Sequence, residues 1–275
     1  MTTRKMKSAS RESRKVKRYR KSRAPMKIRI NKYLAQSGFG SRRKVEDLIS
    51  AGRIRLNGLV VEDFATQVDP ETDMVSLDGK QVAHNEEKYY LIMNKPKGYI
   101  TTLSDEKGRP IVMNLVPEKY KRAGVFPIGR LDKDTEGLLL LTNDGDLANR
   151  LTSPRSHITK VYMLELDKPL VDRDQGKIEK GIFLHQLSIK TRPSLIEKIE
   201  PTGKRITITI IEGKKRQIRY TFKNFGYKVL KLRRVAYGPL TLEGINKGDV
   251  RALKAKEIRE LKNFIPESAE RIRKR

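Results

Sequence analysis

The chain has 275 residues, enough for one sizeable core or for a small module ahead of a larger one, and two domains are expected. Its 61 Lys and Arg stand against 33 Asp and Glu, a formal charge of +28 that asks for a polyanionic partner, with nucleic acid the obvious candidate. No apolar run approaches the ~20 residues of a membrane span, the N-terminus lacks the apolar stretch of a secretory signal, and the absence of cysteine with three scattered histidines (His84, His157, His185) excludes a zinc cluster or disulfide framework. The expectation is a soluble, cytoplasmic protein with no membrane partner.

Residues 1–27 hold twelve Lys and Arg, one acid (Glu12) and almost no large apolar side chain. Such a stretch buries too little surface to offset the entropy of ordering, so a disordered basic arm is predicted. Phosphate contact and plain solubilisation are both open to it. From Ile30 the pattern turns helical, with Ile30, Tyr33 and Leu34 at i, i+3 and i+4 and Gly38 as a stop. Ser41 then caps a second helix with Val45, Leu48 and Ile49 inward, ended by Gly52. Arg53-Ile54-Arg55-Leu56 reads as a strand, Asn57-Gly58 as a tight hairpin turn and Leu59-Val60-Val61 as its return.

This module places Arg42, Arg43 and Lys44 in the first turn of the second helix. The dipole there favours acids, and the backbone N–H groups attract phosphate. With Arg53 and Arg55 they make a candidate RNA-binding cluster, although solvated charge would explain any one of them. The run Asn31-Lys32-Tyr33-Leu34-Ala35, through Ser41-Arg42-Arg43 to Ile54-Arg55-Leu56-Asn57-Gly58, resembles the RNA-binding module named after ribosomal small-subunit protein S-four. The resemblance covers residues 28–82 and implies binding to structured RNA.

A linker is expected at 83–88, a second domain at 89–262 and a short basic tail at 263–275. Tyr89-Tyr90-Leu91-Ile92-Met93-Asn94 is strand-like and breaks at Lys95-Pro96-Lys97-Gly98. An apolar run at residues 138–141, a strand-like segment at 160–166 and the alternation Ile206-Thr207-Ile208-Thr209-Ile210 follow. With only short helices between them, the fold expected is α+β: a small helix-helix-hairpin module, then a larger domain with a mainly antiparallel mixed sheet flanked by short helices.

No phosphate-cradling glycine fingerprint, zinc spacing or hydrolase elbow occurs, so no metal, nucleotide or redox cofactor is expected and carboxylate chemistry remains. Asp132 lies in a turn opened by Gly129 and followed by Gly137 and an apolar strand, and loops held by a rigid sheet commonly carry reactive side chains. An isolated Arg-Leu-Asp is more often a turn former. The full string is unusual: Phe126-Pro127-Ile128-Gly129-Arg130-Leu131-Asp132-Lys133-Asp134-Thr135-Glu136-Gly137-Leu138-Leu139-Leu140-Leu141-Thr142-Asn143-Asp144-Gly145.

That string, with Asn94-Lys95-Pro96-Lys97-Gly98 before it and Glu212-Gly213-Lys214-Lys215-Arg216-Gln217-Ile218-Arg219 after it, resembles the pseudouridine synthases of ribosomal RNA. The branch is that of the small-subunit enzyme A and its large-subunit relatives. Leu151-Thr152-Ser153-Pro154-Arg155 through Lys160-Val161-Tyr162 leans to the former, and Gly213-Lys214-Lys215-Arg216-Gln217-Ile218-Arg219 is at home among the latter. The resemblance implies isomerisation of uridine to pseudouridine by a monomer working on ribosomal RNA or a pre-ribosomal particle.

By the same resemblance Asp132 matches the catalytic aspartate, which attacks the ribose or the uracil ring. Tyr162 matches a tyrosine against the target base, and Arg219 a basic residue paired with the aspartate. Arg130 matches the arginine that fills the gap of a flipped base, while Lys95, Arg216 and Ile218 join the substrate-binding set. Helical spacing also puts Ile218, Phe222 and Phe225 on one stripe and Arg216, Arg219 and Lys223 on another. Asp134, Asp144 and Asp146 read as turn and cap residues. The rival reading is a non-catalytic RNA-binding ribosome-assembly factor, which the first 82 residues fit and which has no physical need of Asp132, Tyr162 and Arg219 together.

Overall fold

The computed structural model describes residues 27–83 and 87–264, which fall into two compact units divided between these ranges. Residues 1–26, positions 84–86 of the expected linker, and 265–275 of the expected tail lie outside the described residues.

In the first unit β1 (Ile28–Arg29) runs directly into α1 (Ile30–Gln36), and α2 (Arg42–Ser50) follows. The second helix starts where the sequence offers a cap, with Ser41 Oγ accepting from the Lys44 N–H at 3.2 Å. Ile30, Tyr33, Leu34, Val45 and Ile49 turn inward and share a core with apolar residues of the strands. Those strands are β2 (Ile54–Leu56), β3 (Leu59–Val60), β4 (Gln67–Val68), β5 (Val75–Leu77) and β6 (Lys80–Gln81). Two antiparallel hairpins, joined at Asn57-Gly58 and Asp78-Gly79, give the order β3-β2-β5-β6, and β4 pairs with β1.

The second unit is built on a nine-stranded sheet. Its strands are β7 (Tyr90–Lys95), β8 (Phe126–Ile128), β9 (Glu136–Thr142) and β10 (Lys160–Leu166); a separate hairpin of β11 (Phe183–Leu184) and β12 (Ile189–Lys190) intervenes. The sheet continues with β13 (Leu195–Lys198), β14 (Arg205–Ile210), β15 (Val229–Tyr237), β16 (Leu240–Thr241) and β17 (Val250–Ala252). The order is β13-β14-β10-β15-β9-β7-β17, with β8 on β9 and β16 on β15. Only β9 and β15 pair in parallel, so the sheet is mixed and mainly antiparallel, and the α+β reading holds.

Period two explains the unbroken apolar run of β9. Leu139 and Leu141 enter one core and Leu138 and Leu140 another, so this central strand is covered on both faces. Helices supply the covers. Ile178 of α5 (Asp172–Lys180) and Ile218 and Phe222 of α6 (Gln217–Lys223) lie in the first core, beside a 3₁₀ turn at Val112–Leu115. Leu147 and Leu151 of α4 (Gly145–Thr152) and Leu261 of α7 (Ala255–Asn263) lie in the second, and a short α3 (Glu118–Arg122) precedes β8. Asp144 caps α4 by accepting from the Leu147 N–H at 3.0 Å, the cap role expected of it.

The start of β9 is tight. Gly137 (φ +106°) pairs with Arg234 of β15, and a Cβ there would stand 2.2 Å from the Arg234 carbonyl oxygen. Only glycine lets the two backbones approach this closely. Among the described residues no helix is long and apolar enough to cross a membrane.

Candidate active site

Residues 129–135 connect β8 and β9, the two arms of an antiparallel pair. Leu131 packs into the first core, Arg130 is exposed on one side of it and Asp132 half-buried on the other. The loop has no ladder of its own and is held by the segment that follows β7. The Gly98 N–H donates to the Lys133 carbonyl at 2.8 Å, and Thr101 Oγ1 donates to the Leu131 carbonyl at 2.8 Å. Within the loop the Thr135 N–H closes a turn on the Asp132 carbonyl at 3.0 Å.

Lys95, expected to meet RNA, is instead fully buried beneath this loop. Its ammonium donates to the carbonyls of Thr135 (2.8 Å), Pro96 (3.1 Å) and Asp132 (3.2 Å). Burial pushes its pKa down to about 8, against the opposing pull of the Asp134, Glu136 and Asp132 carboxylates. The physical cause is register: Lys95 is the last residue of β7 and pairs with Gly137, inside the sheet rather than in the loop after it.

A cavity of about 240 Å³ opens over the loop, and its walls include Arg130, Asp132, Tyr162, Arg216 and Ile218. Lys214 and Lys215 add basic side chains to the same walls. Sequence residues 30 to 90 positions apart thus meet in one place, although Lys95 and Arg219 do not line it.

Tyr162 is 7% exposed and stands on β10 opposite Ile208 on one side and Arg234 on the other. Arg234, which sequence reasoning missed, is buried at 3% exposure. Its Nε donates to the Leu138 carbonyl at 2.7 Å, its Nη1 reaches Tyr162 Oη at 3.5 Å, and its guanidinium carbon lies 5.2 Å from the Tyr237 ring centre. The available signal was the Arg233-Arg234 pair on an apolar strand, where period two turns one of two neighbours inward. Burial and the Arg234 charge together lower the pKa of nearby Lys160 to about 8, and burial pushes that of Tyr237 up to about 12.

Arg219, expected to pair with Asp132, pairs with Asp134. Its Nε lies 3.1 Å from Asp134 Oδ2, at an angle too poor for a hydrogen bond, and its Nη2 donates to the Asp134 carbonyl at 3.0 Å. Arg216 grips the same carboxylate with both fork nitrogens, at 3.1 and 3.2 Å. Asp134 is therefore the shared counter-ion of two arginines rather than a turn former. Burial acts to raise its pKa, and the Arg216 hydrogen bonds with both guanidinium charges outweigh that and hold it below the ordinary carboxylate value. Asp132 has no ion pair within 4 Å among the described residues, and its charge reaches Arg216 and Arg219 at longer range. The turn closed by Thr135 separates the two acids, sending Asp132 to the cavity and Asp134 to the start of α6.

Arg216 also leaves the stripe expected of it. It precedes α6 in a left-handed conformation (φ 53°), so the turn, not helical spacing, sets its direction. In the other unit Arg42, Arg43 and Lys44 are exposed at the first turn of α2. Arg53 is held by Asp78 through two hydrogen bonds, one from Nε at 2.9 Å and one from Nη2, so its charge is already partly met.

Comparison with known proteins identifies the family. The RNA pseudouridylate synthase family matches residues 89–224 and the S4 domain matches residues 28–75. A protein of Aquifex aeolicus (strain VF5), named as an uncharacterized RNA pseudouridine synthase, is 40% identical over 237 residues, 86% of this chain and 94% of the relative. The ribosomal large subunit pseudouridine synthase B of Bacillus subtilis (strain 168) is 38% identical over 238 residues, 85% of this chain and 95% of that one. A crystal structure of a pseudouridylate synthase superposes with a TM-score of 0.63 at 28% identity, covering 85% of this chain and 99% of its own. The chain belongs to the RNA pseudouridine synthase family, with an S4 domain ahead of its catalytic domain.

Proposed function

We propose that this pseudouridine synthase acts on ribosomal RNA, free or within a pre-ribosomal particle, with Asp132 as the reacting carboxylate. The observation that carries the reading is the cavity in which Asp132, Tyr162 and Arg130 meet. A uridine in structured RNA hides its glycosidic bond in the stack, so it must be extruded at a cost of a few kcal/mol. Arg130, exposed at the cavity, is suited to the vacated space because a guanidinium stacks on bases and bonds phosphate. Tyr162 receives the face of the base, a contact worth about 1–3 kcal/mol in single-strand binders, and Ile218 adds apolar contact.

Asp132 then attacks, at the ribose C1′ or at the uracil ring, and the N1–C1′ bond breaks. The uracil turns, C5 bonds to C1′, the bond to Asp132 breaks and returns the free carboxylate, the C5 proton leaves and N1 gains one, so composition is unchanged. Such a step is redox-neutral and needs no metal, nucleotide or second substrate. The Tyr162 hydroxyl is the group we assign to the C5 proton. Arg216 and Arg219, gripped by Asp134, present positive charge toward Asp132. Arg42, Arg43 and Lys44 bind phosphate at the start of α2, and Arg53 adds to them when it leaves Asp78.

We place the enzyme in the cytoplasm as a monomer contributing to ribosome biogenesis. The name of the Bacillus subtilis relative makes large-subunit RNA the first substrate to test. Pseudouridine mapping of ribosomal RNA from cells with and without the protein checks this. One or a few large-subunit positions should revert to uridine, and an unchanged map would contradict the assignment.

A further inference from the structure

Leu131 stands between Arg130 and Asp132, and its side chain is anchored in the first core. Its two backbone polar groups are buried away from any strand ladder, and both are met by one hydroxyl. Thr101 Oγ1 donates to the Leu131 carbonyl at 2.8 Å and accepts from the Leu131 N–H at 3.3 Å. A hydroxyl has one proton and two lone pairs, so it can do both at once. Among the described residues neither group of Leu131 has another partner.

Thr101 is itself fixed. It is 7% exposed and follows Ile100, whose N–H donates to the Pro110 carbonyl at 2.9 Å and whose carbonyl accepts from the Val112 N–H at 2.9 Å. The hydroxyl therefore transmits the position of this backbone-held segment to the two peptide groups that flank Leu131 and set where Arg130 and Asp132 leave the chain. Lys95 and Gly98 hold the loop only from Asp132 onward.

We propose that Thr101 is a positioning residue for the isomerisation: its hydroxyl fixes the peptide groups on either side of Leu131, and with them the placing of Asp132 against the extruded base. The proposal rests on Asp132 being the reacting carboxylate. Thr101→Val keeps the branched shape and removes only the hydroxyl, whereas Thr101→Ser keeps the hydroxyl. Misplacing a reacting group by about 1 Å can cost on the order of a hundredfold in rate.

The test is single-turnover pseudouridine formation on unmodified large- and small-subunit ribosomal RNA transcripts, with RNA affinity measured alongside and Asp132→Asn in parallel. Thr101→Val should slow the step about 10- to 100-fold with affinity within about threefold, and Thr101→Ser should stay within about threefold of the parent in both. Amide exchange of the Leu131 N–H should be protected in the parent and in Thr101→Ser. Should Thr101→Val lose its cooperative melting transition, Thr101→Ala takes its place with the same expected values.

A valine variant as fast as the parent, one that loses affinity in proportion to rate, or a serine variant as slow as valine would each overturn the proposal. An active Asp132→Asn would remove the reading beneath it as well. An inactive Asp132→Asn beside a fully active Thr101→Val would overturn the role of Thr101 alone.

Discussion

The ammonium of Lys95 carries three protons and faces three carbonyl oxygens, so losing one proton leaves a lone pair against a carbonyl. Its pKa is lowered from an ordinary 10.5 to about 8, so the native protein gives up this proton near pH 8 and the unfolded chain keeps it until about 10.5. Between those values the unfolded chain binds more protons, and this group's contribution to stability rises with pH. The grip on the loop changes in the opposite direction, so the isomerisation rate should fall as pH rises through about 8. Lys95→Met should lose about a hundredfold in rate and show no such step, because the Thr135 carbonyl is then left without a donor. A parent rate that stays level from pH 7 to 9.5 would contradict this. Nothing local in Lys95-Pro96-Lys97-Gly98 announces a buried cation. That fact belongs to the pairing of Lys95 with Gly137, as the partner of Arg219 belongs to the turn that parts Asp132 from Asp134. The prominence of Asp132 was legible, because the surrounding string is long enough to be distinctive.

At the scale of elements, periodicity carried most of the way. The alternation from Ile206 to Ile210 appears as β14 with three isoleucines buried, and the leucine run appears as a strand covered on both faces. Cap and turn chemistry located α2 and the Asn57-Gly58 hairpin of the first unit. Helical spacing misled at Arg216, because α6 starts one residue later and the left-handed turn before it is a feature of tertiary contact with Asp134. The need for glycine at 137 was likewise invisible until β15 was in place. Gly137→Ala should therefore destabilise the protein by about 3 kcal/mol or more in urea unfolding, since the atoms in the way are backbone. Gly129→Ala, whose added Cβ would meet nothing nearer than 3.9 Å, should cost only the left-handed strain of about 1–2 kcal/mol. Equal losses in the two variants would show that the β9–β15 approach is not the constraint described.

For the molecule as a whole, a charge of +28 pointed to a polyanion before any element was known. Composition could say no more than that, because affinity for phosphate carries no sequence information. RNA binding should weaken steeply with salt, and replacing Arg42, Arg43 and Lys44 by Ala should reduce the slope of log affinity against log salt by about 2 to 3. An unchanged slope would exclude that helix start as a phosphate site. The central claim lies at the cavity and is tested most directly by Asp132→Asn, a change of one oxygen for one nitrogen at the reacting position. Pseudouridine formation on ribosomal RNA transcripts should fall below detection while RNA affinity stays within about threefold of the parent, since a group acting only on the bond being broken adds little to ground-state binding. A variant that still forms pseudouridine at the parent rate would contradict the account.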